Sequence, residues 1–561
     1  MLLDPATGNN FFGRDDILAL LKKRADGLRF GYRQNVAIIG PSYYGKTSVI
    51  YRFISTLPFK DTVPVYIEVK NQGFPAFAEK FIAALLFRYL DFAEFKAAGT
   101  GGLVSLAADR MPKTAKAVKA IETLIKGGKN LKAYRALFEL PATAYSETGL
   151  RPIIILDEFH RIADLGIEDA FAELGKFIML QKDTMYIVLS SQINQAKNIL
   201  AEKLSLLFGN FEIYELGTFD VRTASQFIRA RLVSGPLPDE LVNFLVAFSD
   251  GHPFYLDSIL LSLRGRGGNI TAVKDTDTLT AMFIEILFDS KGILNQHFSG
   301  VMTRLDGIDR HSAAVLLAIS NGAKKVQAIS EASRVKTAEL SALLEKLIDA
   351  GWVSRQGKFY LIRDKVFELW LRNVYQIKEY LLDPSYEPKI SMFSAEVKGF
   401  IENFVESSAR DIDDLVAGLF TSFNGEFMEL GGKSFRLPHF GNTEARASKI
   451  DGISYLSLFA EGCTWELIVG RRPVRDSDVM DYLSQCKGRK SAVKRKIVIA
   501  LAGMGANAKL LAKEAKCWIW DLKDLNTLLD MTGRQRLVLP QWDAEGIAES
   551  QKDHLASTES A

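Results

Sequence analysis

The chain is poor in residues that build metal or disulfide frameworks. Its 561 residues include three cysteines, Cys463, Cys486 and Cys517, and six histidines. The cysteine spacing suits no zinc site, and three thiols without a pairing pattern point to a reducing compartment. The histidines are scattered and form no metal cluster. Long apolar runs are missing too: none approaches the ~20 residues that a membrane span needs. The amino terminus lacks a basic segment followed by a hydrophobic one, so no signal peptide is expected and the expected location is cytoplasmic. Neither sign of charge dominates: 70 Lys and Arg against 67 Asp and Glu give +3. Charge alone therefore does not announce nucleic acid. What remains, 48% hydrophobic and 24% charged, is the composition of an ordinary soluble globular protein. The length suffices for about three or four domains.

Against that plain background one stretch stands out. Gly40-Pro41-Ser42-Tyr43-Tyr44-Gly45-Lys46-Thr47 fits the phosphate-loop pattern G-x-x-x-x-G-K-[ST] in full. Asn35–Ile39 before it reads as a buried strand, and Ser48–Ile54 after it as a continuing helix. The main-chain amides of such a loop form a nest for anionic oxygens at a helix N-terminus. Gly40 and Gly45 permit positive φ and close approach to phosphate. Lys46 would reach the β- and γ-phosphates, and the Thr47 hydroxyl would ligate Mg²⁺. Ser48 completes the expected nucleotide-binding set.

A second element supplies acids. Arg151-Pro152-Ile153-Ile154-Ile155-Leu156-Asp157-Glu158 reads as a strand buried on both faces. Its acids fall at the C-terminal end, where ligands bind in open α/β sheets. Asp157 would hold Mg²⁺ through water, and Glu158 would polarise the attacking water. A third strand, Met185–Leu189, ends in Ser190-Ser191-Gln192. Ser191 and Gln192 are candidate sensors of the γ-phosphate, although a strand-end turn of small polar residues explains them equally well. Val63–Val69 is a fourth strand. Alternation of strands with helix-period segments implies a parallel sheet with helices on both faces.

With these pieces in order, the chain resembles archaeal-type ATPases, a branch of the AAA+/STAND group. Phe11-Phe12-Gly13-Arg14-Asp15-Asp16 is similar to the box that opens those domains, and Asp250-Gly251-His252-Pro253-Phe254-Tyr255 is similar to their G-x-P element. The resemblance spans about residues 1–375. It implies that Arg14 and Pro253 belong to the nucleotide site. Two departures matter. Asn210 stands where relatives often carry an arginine, and Asp250 where they usually carry a further glycine. Arg222, Arg229, Arg231 or a neighbouring subunit remain as donors for the developing phosphate charge, whose absence slows turnover by orders of magnitude. Slow, switch-like hydrolysis is thus as compatible with the sequence as fast, motor-like hydrolysis.

Six lysines, Lys113, Lys116, Lys119, Lys126, Lys129 and Lys132, lie in a helical insertion before the acidic strand. A solvated helix face explains them more simply than a DNA track. Residues 219–262 read as lid helices, and Arg264–Asn269 as a hinge-like loop. From His311 to Trp352 the pattern is three helices, the last with Leu340, Leu343, Leu344 and Leu347 on one face. Trp352–Ile362 reads as a hairpin turning near Gly357, which completes a winged helix-turn-helix. Arg334 and Lys336 would begin its recognition helix, with Arg355 and Lys358 on the wing, where cations meet phosphates. The alternative is a regulatory module packed on its neighbours. Asp364–Arg372 resembles the segment closing this module in archaeal-type ATPases, and its aromatics suit a core.

Asp383–Pro388 reads as a linker. Beyond it come an amphipathic helix near Ser394–Ser407, strands at Ile450–Leu456, Thr464–Val469 and Lys496–Leu501, and a helix at Ser477–Cys486. This arrangement resembles the restriction-endonuclease-like fold. The resemblance assigns Asp451 and Glu466 to the metal acids and Glu402 or Glu406 to the helix acid. Ile468 occupies the lysine position, so a binding domain that does not cut is the expectation. Residues 543–561 read as a disordered tail.

The expected fold class is therefore α/β: a P-loop parallel sheet (1–218), a helical lid (219–300), a winged helix (301–380) and an α/β nuclease-like domain (390–540). The expected function is an ATP-binding and ATP-hydrolysing switch that engages DNA, with ATP and Mg²⁺ as cofactors. An ATP-gated DNA nuclease and a signalling scaffold that assembles with itself or a protein partner are the alternatives.

Overall fold

A computed structural model describes residues 5–58, 61–90, 103–204, 211–232, 238–265, 276–380, 386–408, 410–430, 433–447, 451–487, 493–534 and 536–537. Asn210, residues 266–269 of the expected hinge, 383–385 of the expected linker and the expected tail lie outside these. The chain divides into two units, Met1–Thr218 with Asp349–Gly351, and Phe219–Ile348 with Trp352–Ala561.

The first unit is built on five parallel strands: β1 (Asn35–Ile39), β2 (Thr62–Glu68), β3 (Arg151–Asp157), β4 (Met185–Ser190) and β5 (Phe211–Glu215). Their order is β2-β3-β4-β1-β5, consistent with a P-loop NTPase fold. Alternate residues of a strand face opposite sides, and here both sides are covered. Ala37, Ile39, Ile154, Leu156 and Val188 join one core, while Val36, Ile38, Ile153, Ile155 and Leu189 join the other. Hence the unbroken apolar runs of β1, β3 and β4. The insertion predicted from its lysines is two helices, Pro112–Lys126 and Asn130–Thr148. Thr114, Ala115, Val118 and Ile121 are buried, and Tyr134 and Phe138 pack among Phe74, Phe77 and Phe81. Glu147 closes the lysine-rich helix by accepting hydrogen bonds from the amides of Lys113 (2.6 Å) and Thr114 (2.8 Å). These are orphan donors of a first helical turn.

The second unit begins with helices Val221–Arg231, Asp239–Ser249 and Pro253–Gly265. Helices Ser312–Ser320, Val326–Ser333 and Thr337–Asp349 follow, then the antiparallel hairpin β6 (Val353–Gln356) and β7 (Phe359–Ile362). Phe367 and Trp370 are buried against Phe298, and the Trp370 indole donates to Asn295 Oδ1 at 2.9 Å. A second hairpin, β8 (Phe427–Leu430) with β9 (Lys433–Arg436), precedes a mixed sheet. That sheet runs β10 (Phe440–Ala447), β11 (Ile453–Ala460), β12 (Cys463–Gly470), β13 (Val493–Ala500) and β14 (Trp518–Asp521). The first three strands are antiparallel, and the last two join in parallel. Parallel joins need crossovers, supplied by helices Asp476–Lys487 and Ala506–Glu514.

Two expectations are corrected here. Tyr386-Glu387-Pro388 is not linker but the first turn of a helix running to Ser408. Proline is tolerated in a first turn because the amide it lacks has no intrahelical acceptor there. This helix is also seated differently from the domain expected at 390–540. Its Phe393 meets Phe288, and its Phe400 and Phe404 meet Phe244.

The Asp250-Gly251 turn is held tightly. Both residues have positive φ (51° and 67°), and the Phe219 amide donates to Gly251 O at 2.9 Å. A Cβ on Gly251 would lie 2.2 Å from Phe219 O, whereas one on Gly322 (φ 96°) meets nothing within 4 Å. Gly322→Ala should therefore lose about 1–2 kcal/mol from left-handed backbone alone. Gly251→Ala should lose clearly more. Urea unfolding of both variants checks this, and equal losses would contradict the close approach.

Candidate nucleotide site

The strand order brings three loops together. β4 lies between β1 and β3, so the loop after β1, the acids ending β3 and the serines ending β4 share one edge. Ile39 pairs with Ser190, and Gly40 N donates to Ser190 O at 3.1 Å. Gly40 admits no side chain: a Cβ would stand 2.4 Å from Leu216 O. Tyr43 (φ 65°) and Gly45 (φ 91°) turn the loop into the helix Lys46–Thr56. That turn aims main-chain amides inward.

Lys46 is 5% exposed, and its Nζ donates to Gly40 O (2.7 Å) and Pro41 O (2.8 Å). Burial lowers its pKa, opposed by the nearby charges of Glu158 and Asp157. Thr47 Oγ1 donates to Asp157 Oδ2 at 2.9 Å. Asp157 is 4% exposed and accepts a second bond on Oδ2 from the Tyr66 hydroxyl at 2.7 Å. Its Oδ1 accepts from Glu158 N at 2.9 Å. Burial lifts the Asp157 pKa, with the Tyr66 bond pulling the other way.

Glu158 has φ 52°, which turns its side chain off the strand line. Its Oε2 accepts from both the amide (3.0 Å) and the hydroxyl (2.7 Å) of Ser191. His160 Nδ1 lies 3.3 Å from the same oxygen and 2.9 Å from Ser190 Oγ. Burial lowers the His160 pKa, which favours a neutral ring. Gln192 N donates to Ser190 Oγ at 3.0 Å. Ser48 Oγ accepts from Ala6 N at 2.9 Å, bringing the amino-terminal segment over the loop helix. Arg14 donates to Gly217 O (2.6 Å), Tyr44 O (3.3 Å) and Thr218 O (3.5 Å). It thereby ties the opening box to the phosphate loop and to the chain leaving β5.

The donor set fits a magnesium nucleotide: a loop with no room for a side chain at Gly40, a buried ammonium, and a hydroxyl beside a carboxylate. Tyr66 and His160 were missed by sequence reasoning. Nothing local marks either one, because their partners are set by strand order and register.

The remaining candidates are placed as follows. Pro253 opens its helix in the second unit. Arg334 (φ 58°) and Lys336 are exposed just before the helix Thr337–Asp349. Arg355 lies 3.8 Å from Glu345 and donates to Gly357 O at 3.1 Å, while Lys358 is exposed. The hairpin turn is not open on all sides, for a Cβ on Gly357 would meet Phe427 O of β8 at 2.5 Å. The expected nuclease acids do not converge. Asp451 is exposed in the turn before β11 rather than within a strand. Glu466 is buried in mid-β12, opposite Ser457, whose hydroxyl donates to it at 3.0 Å. Six residues of extended chain separate the two levels, on the order of 20 Å. Glu402 lies on the helix Tyr386–Ser408, and Glu406 on that helix pairs with Arg410 at 2.9 Å. Among the described residues no group of three His, Cys, Asp or Glu side chains could hold a metal ion.

No protein-family model and no curated protein matches the chain. Among solved structures, the Walker-type ATPase of Pyrococcus abyssi is similar at 16% identity, covering 66% of this chain and 99% of that one, with a TM-score of 0.46. The Aeropyrum pernix ORC1 protein in complex with DNA is 15% identical over 65% of this chain and 93% of its own, with a TM-score of 0.36. AMPPCP-bound DnaA from Aquifex aeolicus is 12% identical over 63% and 94%, with a TM-score of 0.31. Likenesses this distant carry no functional inference.

Asp157 gives a pH test of the nucleotide-free protein. Its folded pKa is lifted, so its stabilising contribution is complete at low pH and is lost as pH rises through the lifted value. Asp157→Asn has no such carboxylate. The variant should melt higher than the parent at neutral pH, and the gap should close as pH falls toward the ordinary carboxylate range. A gap independent of pH in paired thermal melts would contradict the assignment.

Proposed function

We propose that the chain is an ATP-binding, ATP-hydrolysing switch whose second unit engages DNA. One observation carries the nucleotide reading: the Thr47–Asp157 hydrogen bond joins two motifs 110 residues apart at 2.9 Å. A chance glycine turn and a chance acidic strand end have no reason to meet.

In this reading the amides of residues 42–47 hold the phosphates, and Lys46 leaves the Gly40 and Pro41 carbonyls to meet them. Thr47 and Asp157 would hold Mg²⁺, which when bound neutralises charge across the β- and γ-oxygens. Glu158 would accept a proton from the attacking water. Its Oε2 is held by Ser191, which fixes the side chain and leaves Oε1 as the oxygen that would take the proton. Tyr66 orients Asp157, and Arg14 holds the loop from behind.

The DNA reading is supported by two features of the second unit. Three helices followed by a hairpin give the order of a winged helix, with Arg334 and Lys336 exposed at the third helix. The mixed sheet with crossovers after β12 and β13 has the rhythm of a nuclease-like fold. Cleavage is disfavoured by the separation of Asp451 from Glu466 and by apolar Ile468 at the lysine position. Binding without cutting is therefore the preferred reading.

Lys46→Ala should abolish nucleotide binding in filter assays. Glu158→Gln should keep binding and lower the ATPase rate by about 10²–10⁴-fold. Unchanged hydrolysis would remove Glu158 from its role. For DNA, Arg334→Ala with Lys336→Ala should weaken duplex binding uniformly across sequences and flatten the dependence of affinity on salt by about two phosphate contacts. An unchanged slope would take DNA away from this helix.

A further inference from the structure

The mixed sheet carries a cleft that none of the sites above uses. Its volume is about 920 Å³. It opens between the β8–β9 hairpin and the amino-terminal ends of β12, β13 and β14. Trp465 lines it at 3% exposure, and its indole Nε1 has no hydrogen-bond partner among the described residues. That nitrogen is closed off from solvent, so Trp465 contributes apolar floor to the cleft rather than a donor that a ligand could reach. Trp518 stands edge-on to Trp465 at 5.5 Å and meets Phe435 at 4.6 Å. These rings make an aromatic wall in which Trp465 and Phe435 are buried and Trp518 is half-buried. The Arg495 guanidinium lies 4.7 Å from the Trp518 ring centre, and exposed Lys494 adjoins it. Arg436 binds Gly425 O at 2.8 Å through Nε and adds a third cation. Glu461 is the one carboxylate in the lining.

The cleft is separate from the expected nuclease acids. Successive residues of a strand face opposite sides. Trp465 and Leu467 pack with Phe440 on one face of β12, while Ile468 packs with Tyr482 on the other. Glu466 shares that second face, away from Trp465.

We infer that this cleft binds a nucleotide unit: a base lying along the aromatic wall at Trp518 and Phe435, and a phosphate among Arg495, Lys494 and Arg436. Aromatic rings with cations at their rim suit planar bases joined to anions, and stacking tolerates any base. The unit comes either from a single strand or from a free mononucleotide. The inference rests on the reading that the second unit meets nucleic acid, and it adds where a single strand would lie.

The test uses the full chain carrying Lys46→Ala, so that the phosphate loop does not take the probe. A fluorescein-labelled oligothymidylate reports binding by anisotropy, and tryptophan quenching reports it without a label. Trp518→Leu should weaken the oligonucleotide about 5–150-fold, the equivalent of one stacked base. Arg495→Glu, a surface change that leaves the wall in place, should weaken it and flatten its salt dependence. Duplex binding should be unmoved by Trp518→Leu and reduced by the Arg334 and Lys336 changes. Displacement of the oligonucleotide by thymidine monophosphate assigns the cleft to free nucleotides; failure to displace it assigns the cleft to strands. The inference is overturned if the parent binds neither probe, or if both variants melt like the parent and bind the probes equally well. Loss of duplex binding alone would sink the winged-helix reading and leave this one standing.

Discussion

A carboxylate held almost out of water is the constraint around which the first unit is arranged. Asp157 is 4% exposed, and an ion so buried costs several kcal/mol unless its lone pairs are met. Three donors meet them: the Thr47 hydroxyl, the Tyr66 hydroxyl and the Glu158 amide. They come from the phosphate-loop helix, from β2 and from the turn after β3. Each donor is worth about 1.5–3 kcal/mol toward a charged acceptor, so the set offsets part of that cost, and the remainder is what lifts the Asp157 pKa. The sheet order β2-β3-β4-β1 is what lets all three reach one side chain.

The same economy of position explains the poise of the site. Lys46 and Glu158, the two groups to which the proposed chemistry gives the largest roles, both have local partners. Lys46 donates to two loop carbonyls, and Glu158 is bound by Ser191 beside His160, whose pKa burial lowers. A phosphate in the loop competes with carbonyls for Lys46, whereas nothing about a phosphate directly displaces Ser191 from Glu158.

The amount legible from sequence differed along the chain for physical reasons. The phosphate loop and β3 announced themselves because their signals are contiguous: glycines at fixed spacing, and an apolar run stopped by two acids. Tyr66, His160 and the Glu147 cap gave no signal, because each depends on which strand or helix lies alongside. β5 and the β8–β9 hairpin were passed over because they are short and half exposed. In the second unit, periodicity identified helices and strands but not their partners. An amphipathic pattern in 394–407 says that one face is buried; it cannot say that Phe400 and Phe404 lie on Phe244. Asp451 was placed in a strand on apolar neighbours, and Gly452, with φ 73°, instead makes the turn that keeps it out.

The central claim is that the Gly40–Thr47 loop and Asp157 together grip a magnesium-bound triphosphate. Calorimetric titration of the full chain with a non-hydrolysable ATP analogue, run with and without Mg²⁺, tests it most directly. The account predicts one saturating site per chain in magnesium buffer and markedly weaker binding when the metal is chelated. No heat in either buffer, or affinity indifferent to magnesium, would contradict it.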